Sequence, residues 1–135
     1  MTTKREYDDY TTRTVLENAG WQVEKQDAVK FNSGSETLPH ASLKLITCWY
    51  LKQECGYRVD TEVEMPHGDV DVLAWDANDI IIVECETAPT DEVISDKIAR
   101  YVDGQPPREC WVLNPNEMPE KTLEAYEWVS EEIGL

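Results

Sequence analysis

GYRVDTEVEMPHGDVDVLAWDANDIIIVECET, residues 56–87, is the stretch that decides the fold. In YRVDTEVEM (57–65), Tyr57, Val59, Thr61, Val63 and Met65 alternate with Arg58, Asp60, Glu62 and Glu64, the pattern of a half-buried strand. Pro66-His67-Gly68 turns the chain into DVDVLAW (69–75), and Asp76-Ala77-Asn78-Asp79 turns it again into IIIVECET (80–87). Connections this tight make the three strands an antiparallel meander. The second strand carries Asp69 and Asp71, and the third carries Glu84 and Glu86. Residues two apart on a strand share a face. Like charges are thus paired inside the most apolar part of the chain, where burying a carboxylate is costly.

On either side of this meander the sequence reads as helices. HASLKLITCWYLKQEC (40–55) is apolar around much of its circumference, which predicts a central helix ended by Gly56. DEVISDKIARYVD (91–103) follows the meander behind the cap-like Thr90 or Asp91, and Gln105-Pro106-Pro107 breaks it. ECWVLNP (109–115) reads as a fourth strand, parallel to the third because a helical crossover separates them. Pro119 opens a last helix, KTLEAYEWVSEEI, with Leu123, Tyr126, Trp128 and Ile133 as docking residues. Before the meander, residues 6–18 form a short helix stopped by Gly20, WQVEK (21–25) suits a strand, and FNSGSETLPH (31–40) is a turn-rich connection. The expectation is a mixed α/β (α+β) single domain of 135 residues in the order α-β-β-β-α-β-α. Residues 1–39 would be an N-terminal extension, 40–115 the core and 116–135 a C-terminal helix.

The formal net charge of −16 comes from 28 acidic residues against 12 lysines and arginines, spread along the chain and not gathered in a tail. That distribution excludes a disordered acidic segment. It suits either a protein adapted to molar salt, where charges are screened over about 3 Å, or a surface that imitates nucleic-acid phosphates. No stretch approaches the roughly 18 apolar residues of a membrane span, and MTTKREYDDY is not built like a signal peptide, so a cytoplasmic protein without membrane contact is expected. The four cysteines, Cys48, Cys55, Cys85 and Cys110, form no C-x-x-C pair and read as buried thiols. The five tryptophans lie on separate elements, which suggests core packing rather than a base-stacking platform. There is no G-x-G-x-x-G, G-K-[ST] or G-x-S-x-G motif.

A hard divalent cation such as Mg²⁺ takes oxygen ligands in near-octahedral geometry. Asp71 on one strand with Glu84 and Glu86 on its neighbour can supply them, and such a site can activate water for phosphodiester hydrolysis. Asp69 lies nearer the turn and ranks second as a ligand. On the following helix, Lys97 falls on the apolar stripe of Val93, Ile94, Ile98 and Tyr101, so it faces the sheet; a snorkelling lysine would look the same. His40 and Lys44, one helical turn apart, and His67 in the Pro-His-Gly turn can meet a phosphate, though each also suits an ordinary structural role.

A helix followed by G-Y-R-V-x-x-E-V-E, G-D-V-D-V-L and I-I-V-E-C-E, then helix and strand, resembles the PD-(D/E)xK nuclease superfamily, with its restriction enzymes and archaeal Holliday-junction resolvases. The resemblance covers residues 40–115. It implies a restriction-endonuclease-like core, Mg²⁺ or Mn²⁺ as cofactor and DNA as substrate. Together with the charge it implies a halophilic archaeal or viral source. Asp71 then matches the metal-binding aspartate and Glu84 the first acid of (D/E)xK. Glu86 stands where the group usually carries the lysine that activates water. Some restriction enzymes in the group carry glutamate there, and in other members the lysine comes from the following helix, as Lys97 would. Glu62 or Glu64 would correspond to the acid that precedes the motif in resolvase-like members. Many members act as dimers, so the resemblance admits a homodimer. Two other readings stand beside the nuclease. One is a binding or assembly domain that keeps the fold without the chemistry, and the other is an acidic, phosphate-mimicking inhibitor of a DNA-handling protein.

Overall fold

A computed structural model describes residues 4–24, 26–32, 34, 36–66, 68–87, 89–102 and 108–135, with backbone alone for 4–9 and 101–102. Three antiparallel strands carry the centre: β1 (Arg58–Met65), β2 (Gly68–Trp75) and β3 (Ile80–Cys85). β4 (Glu109–Leu113) joins parallel to β3, giving the sheet order β1-β2-β3-β4. The α+β class, the meander and the parallel fourth strand are as the sequence predicts. The helices are α1 (Lys4–Asn18), α2 (Leu38–Trp49), α3 (Asp91–Val102) and α4 (Thr122–Ile133). Among the described residues no helix is long and apolar enough to cross a membrane.

α2 starts where Thr37 caps it by accepting the His40 N–H, with Pro39 in the first turn. It runs on into a π-helical turn, Tyr50–Glu54, and stops at Gly56, whose φ of 77° suits glycine best. One face of the sheet packs on α2 and α4: Val59, Val72, Ala74, Ile81 and Val83 meet Leu43, Leu51, Val129 and Ile133. On the other face Val63, Leu73, Trp75 and Ile82 meet Leu16 and Trp21 from the N-terminal segment. α2 is less enclosed than its composition predicts, since Leu38, Leu45 and Trp49 are exposed. Trp49 therefore departs from the expected core role of the tryptophans. In α4, Ala125, Val129 and Ile133 dock, whereas Leu123 is 80% exposed. Of the four residues expected to dock, Tyr126, Trp128 and Ile133 do pack on the core, and Leu123 alone departs.

Three further differences concern the strands. Residues 21–24 do not form a strand. Gln22 donates one backbone bond to Glu64, and the Glu24 N–H goes to the Asp60 carboxylate. Farther along, Val59 N–H bonds Asp27 and Lys30 N–H bonds the Thr61 hydroxyl. Side-chain bonds, with single backbone bonds from Gln22 and Ala28, thus tie this segment along β1 in place of a fifth strand, and it covers an edge that would otherwise be open to pairing. Asp60, placed on the polar face by its alternation, is 0% exposed for this reason, held by Glu24, Thr61 N–H and Lys30.

The single-face reading of β1 also fails, because Tyr57 and Val59 pack in one cluster while Val63 and Met65 pack in the other. The switch occurs at Glu62, which has a φ of 50°. Left-handed backbone in a glutamate breaks the alternation and costs about 1–2 kcal/mol. The β1–β2 ladder pairs Thr61 with Val72 and Val63 with Val70 but skips Glu62 and Asp71 between them. Finally, β3 ends at Cys85, so Glu86 lies just beyond the strand, tied by its N–H to the Leu113 carbonyl.

Candidate metal centre

The β2–β3 ladder runs from Trp75–Ile80 to Val72–Val83 and stops there. One step farther, side chains replace the ladder. The Asp71 N–H donates to Glu84 Oε2 at 3.3 Å, and the Cys85 N–H donates to Asp71 Oδ2 at 2.8 Å. Two carboxylates therefore cap the opened end of two strands. This explains how acids can occupy so apolar a region, since buried backbone donors need acceptors. Glu84 is 1% exposed, beside Ile82 in the core, while Asp71 is half-buried at the rim.

From the second face, α3 brings Lys97, whose ammonium lies 3.1 Å from Glu86 Oε2 and feels the charges of Glu84 and Asp71. Burial pulls the Lys97 pKa down, but Glu84 and then Glu86 pull it up, and the net direction is above the ordinary lysine value. Lys97 is therefore charged at neutral pH. The structure brings Asp71, Glu84, Glu86 and Lys97 together. Of the remaining stripe on α3, Val93 and Ile94 are half-buried and Ile98 is exposed, while the Tyr101 side chain lies outside the description. His67 also lies outside the described residues. Asp69 is exposed next to Glu64 in the ladder, past the break at Asp71. Glu64 is exposed as well, so of Glu62 and Glu64 only Glu62 turns inward.

From the first face, α2 brings His40. Its Nδ1 lies 2.7 Å from Glu36 Oε2 and its Nε2 lies 3.8 Å from Asp71 Oδ1. Lys44, one turn on, is 1% exposed and donates to Glu36 at 2.7 Å and to Glu62 at 3.0 Å. The phosphate-meeting role that the sequence admits for Lys44 is thus excluded by burial. Burial raises the Glu36 pKa, but the Lys44 and His40 hydrogen bonds outweigh it, and the group ends below its ordinary value. Glu62 goes the other way. Burial and the Asp71 and Glu36 charges outweigh the Lys44 bond and leave its pKa raised. The Cys85 thiol is pushed well up by burial and by the charges of Asp71 and Glu84.

Sequence reasoning missed Glu36 and Cys85 as members of this neighbourhood. Glu36 had a usable signal, because Glu36, His40 and Lys44 recur every four residues, although Glu36 itself lies just before α2. Cys85 had none, since its place depends on where β3 stops.

The donor set can be tested against a hard cation. Around Lys97 stand three carboxylates, Asp71, Glu84 and Glu86, against one ammonium. Carboxylate oxygens are the ligands that Mg²⁺ or Mn²⁺ prefers. Asp71 and Glu84 are the residues that would hold it. In comparisons with known proteins, no family model, no curated protein and no solved structure matches this chain.

Proposed function

We propose that this protein is a metal-dependent nuclease-like enzyme that hydrolyses phosphodiester bonds, with DNA as substrate. The observation that supports this most is the convergence of Asp71 and Glu84, at the opened end of β2 and β3, with Lys97 from α3. A hard divalent ion held by Asp71 and Glu84 would supply charge stabilisation and an activated water. The Cys85 N–H fixes one oxygen of Asp71, and the Asp71 N–H fixes one oxygen of Glu84. The two carboxylates are thereby oriented before any ligand arrives.

Lys97 reaches toward the position that the family's lysine usually takes, at Glu86. Its charged ammonium orients the attacking water and stabilises negative charge that develops on the phosphate. Glu86, partly exposed beside it, accepts the proton that the water loses. The water oxygen bonds to phosphorus, and the leaving sugar oxygen departs and takes up a proton. A chain of net charge −16 repels DNA at low salt, and that repulsion is confined to about 3 Å at 1 M salt.

The test is cleavage of plasmid and branched DNA in high KCl with Mg²⁺ or Mn²⁺. Wild type should cut and Asp71→Asn should not. If both are inactive on every substrate while folded, the catalytic reading is lost. Calorimetry with the same ions then decides whether a binding domain without chemistry remains.

A further inference from the structure

His40, Asp71 and Cys85 come from α2, β2 and the end of β3, and one ligand atom from each lies within 4.8 Å of the others. A four-coordinate zinc ion with bonds of 2.0–2.3 Å has ligands roughly 3.5 Å apart, so small side-chain rotations close the gap. Two features orient this group. Glu36 Oε2 sits 2.7 Å from His40 Nδ1, as a carboxylate does behind a metal-bound histidine, and it leaves Nε2 facing Asp71 Oδ1 at 3.8 Å. The Cys85 N–H occupies Asp71 Oδ2, which leaves Oδ1 as the oxygen on the His40 side.

One nitrogen, one oxygen and one sulfur are poor partners for Mg²⁺ and good ones for Zn²⁺ or Co²⁺. We propose that His40, Asp71 and Cys85 form a second binding site, selective for a borderline transition ion such as Zn²⁺. It lies on the α2 side of the carboxylate pair and shares Asp71 with it. Three protein ligands leave a fourth position open for water or a substrate oxygen. Because Asp71 serves both sites, an ion bound here competes with the hard cation of the proposed nuclease centre. That consequence rests on the nuclease reading, whereas the site itself does not.

The probe is Co²⁺ added to the full-length protein under a phosphine reductant, without nucleic acid. Binding should give a near-ultraviolet thiolate-to-cobalt charge-transfer band at one ion per chain. Stoichiometric Zn²⁺ should bleach it and millimolar Mg²⁺ should not. Cys85→Ser should remove the band, and His40→Gln should weaken cobalt affinity about tenfold or more. Circular dichroism reports whether each variant folds, and His40→Gln, at a half-buried position, covers the case in which Cys85→Ser does not. No band in folded wild type overturns the proposal, as does a band that survives in both variants and so belongs to another cysteine. DNA cleavage without a cobalt band defeats this site alone; a cobalt band without cleavage defeats the nuclease reading alone.

Discussion

Lys44 and Lys97 approach the same end of the sheet from opposite faces, and their surroundings differ in a telling way. Lys44 is sealed under α2, with both Glu36 and Glu62 bonded to its ammonium. Lys97 is only half-buried, bonds Glu86, and has Glu84 and Asp71 nearby. The first is a closed structural knot, in which burial forbids any charge from going unpaired. The second places its ammonium among carboxylates at a rim that solvent and ions can reach. Of two lysines on inward helix faces, the one that stays partly wet is the one suited to chemistry.

The sharpest way to break this contrast is to remove each lysine. Lys44→Met leaves two carboxylates enclosed without their cation and should cost about 3–5 kcal/mol, read from urea unfolding in fixed salt. A variant as stable as wild type would mean that Lys44 is not the keystone of that knot. Lys97→Met should move the urea midpoint little, because a part-exposed pair contributes at most about 1 kcal/mol. Its cleavage rate should nonetheless fall about a hundredfold or more. Equal stability losses from the two substitutions would erase the distinction.

A finer test concerns the strained residue that links the two regions. Glu62→Gly and Glu62→Ala lose the same bond to Lys44, but only glycine accepts a φ of 50° without strain. The glycine variant should be the more stable of the two by about 1–2 kcal/mol in the same unfolding assay.

The smallest effect is in pH dependence. The folded-state pKa of Glu36 is lowered, so its contribution is present above its ordinary value of 4.5 and is lost as pH falls through the lower folded value. Glu62 has the opposite sign. Its pKa is raised, so its contribution is present at low pH and is lost as pH rises through the folded value. Glu36→Gln should therefore lose less stability than wild type between about pH 6 and about pH 3, measured as urea midpoints. An identical slope in both proteins would show that Lys44 and His40 do not hold Glu36 ionised.

Periodicity and turn chemistry made most of this fold legible. The alternating runs and the Pro-His-Gly and Asp-Ala-Asn-Asp turns placed β1, β2 and β3, and the helical crossover placed β4 parallel. What alternation could not show is where it stops. WQVEK looks like a strand because apolar and polar residues alternate there, yet only Gln22 makes a backbone bond to β1, and the Glu24 N–H goes to the Asp60 side chain instead. Asp60 and Glu62 look like solvated charges because β1 alternates, yet one is enclosed by an irregular segment and the other sits at a backbone flip.

The same division holds at the candidate site. The sequence by itself determined that Asp71 and Glu84 lie on adjacent antiparallel strands and that Lys97 lies on the inward stripe of the next helix. These follow from periods of 2 and 3.6 residues, which are local. Only the tertiary structure decided that the ladder opens at Asp71 and Glu84, that Lys44 is sealed while Lys97 is not, and that His40 and Cys85 converge on Asp71. Those outcomes depend on where two strands part and how deeply each helix seats, and both are set by packing between segments far apart in the chain.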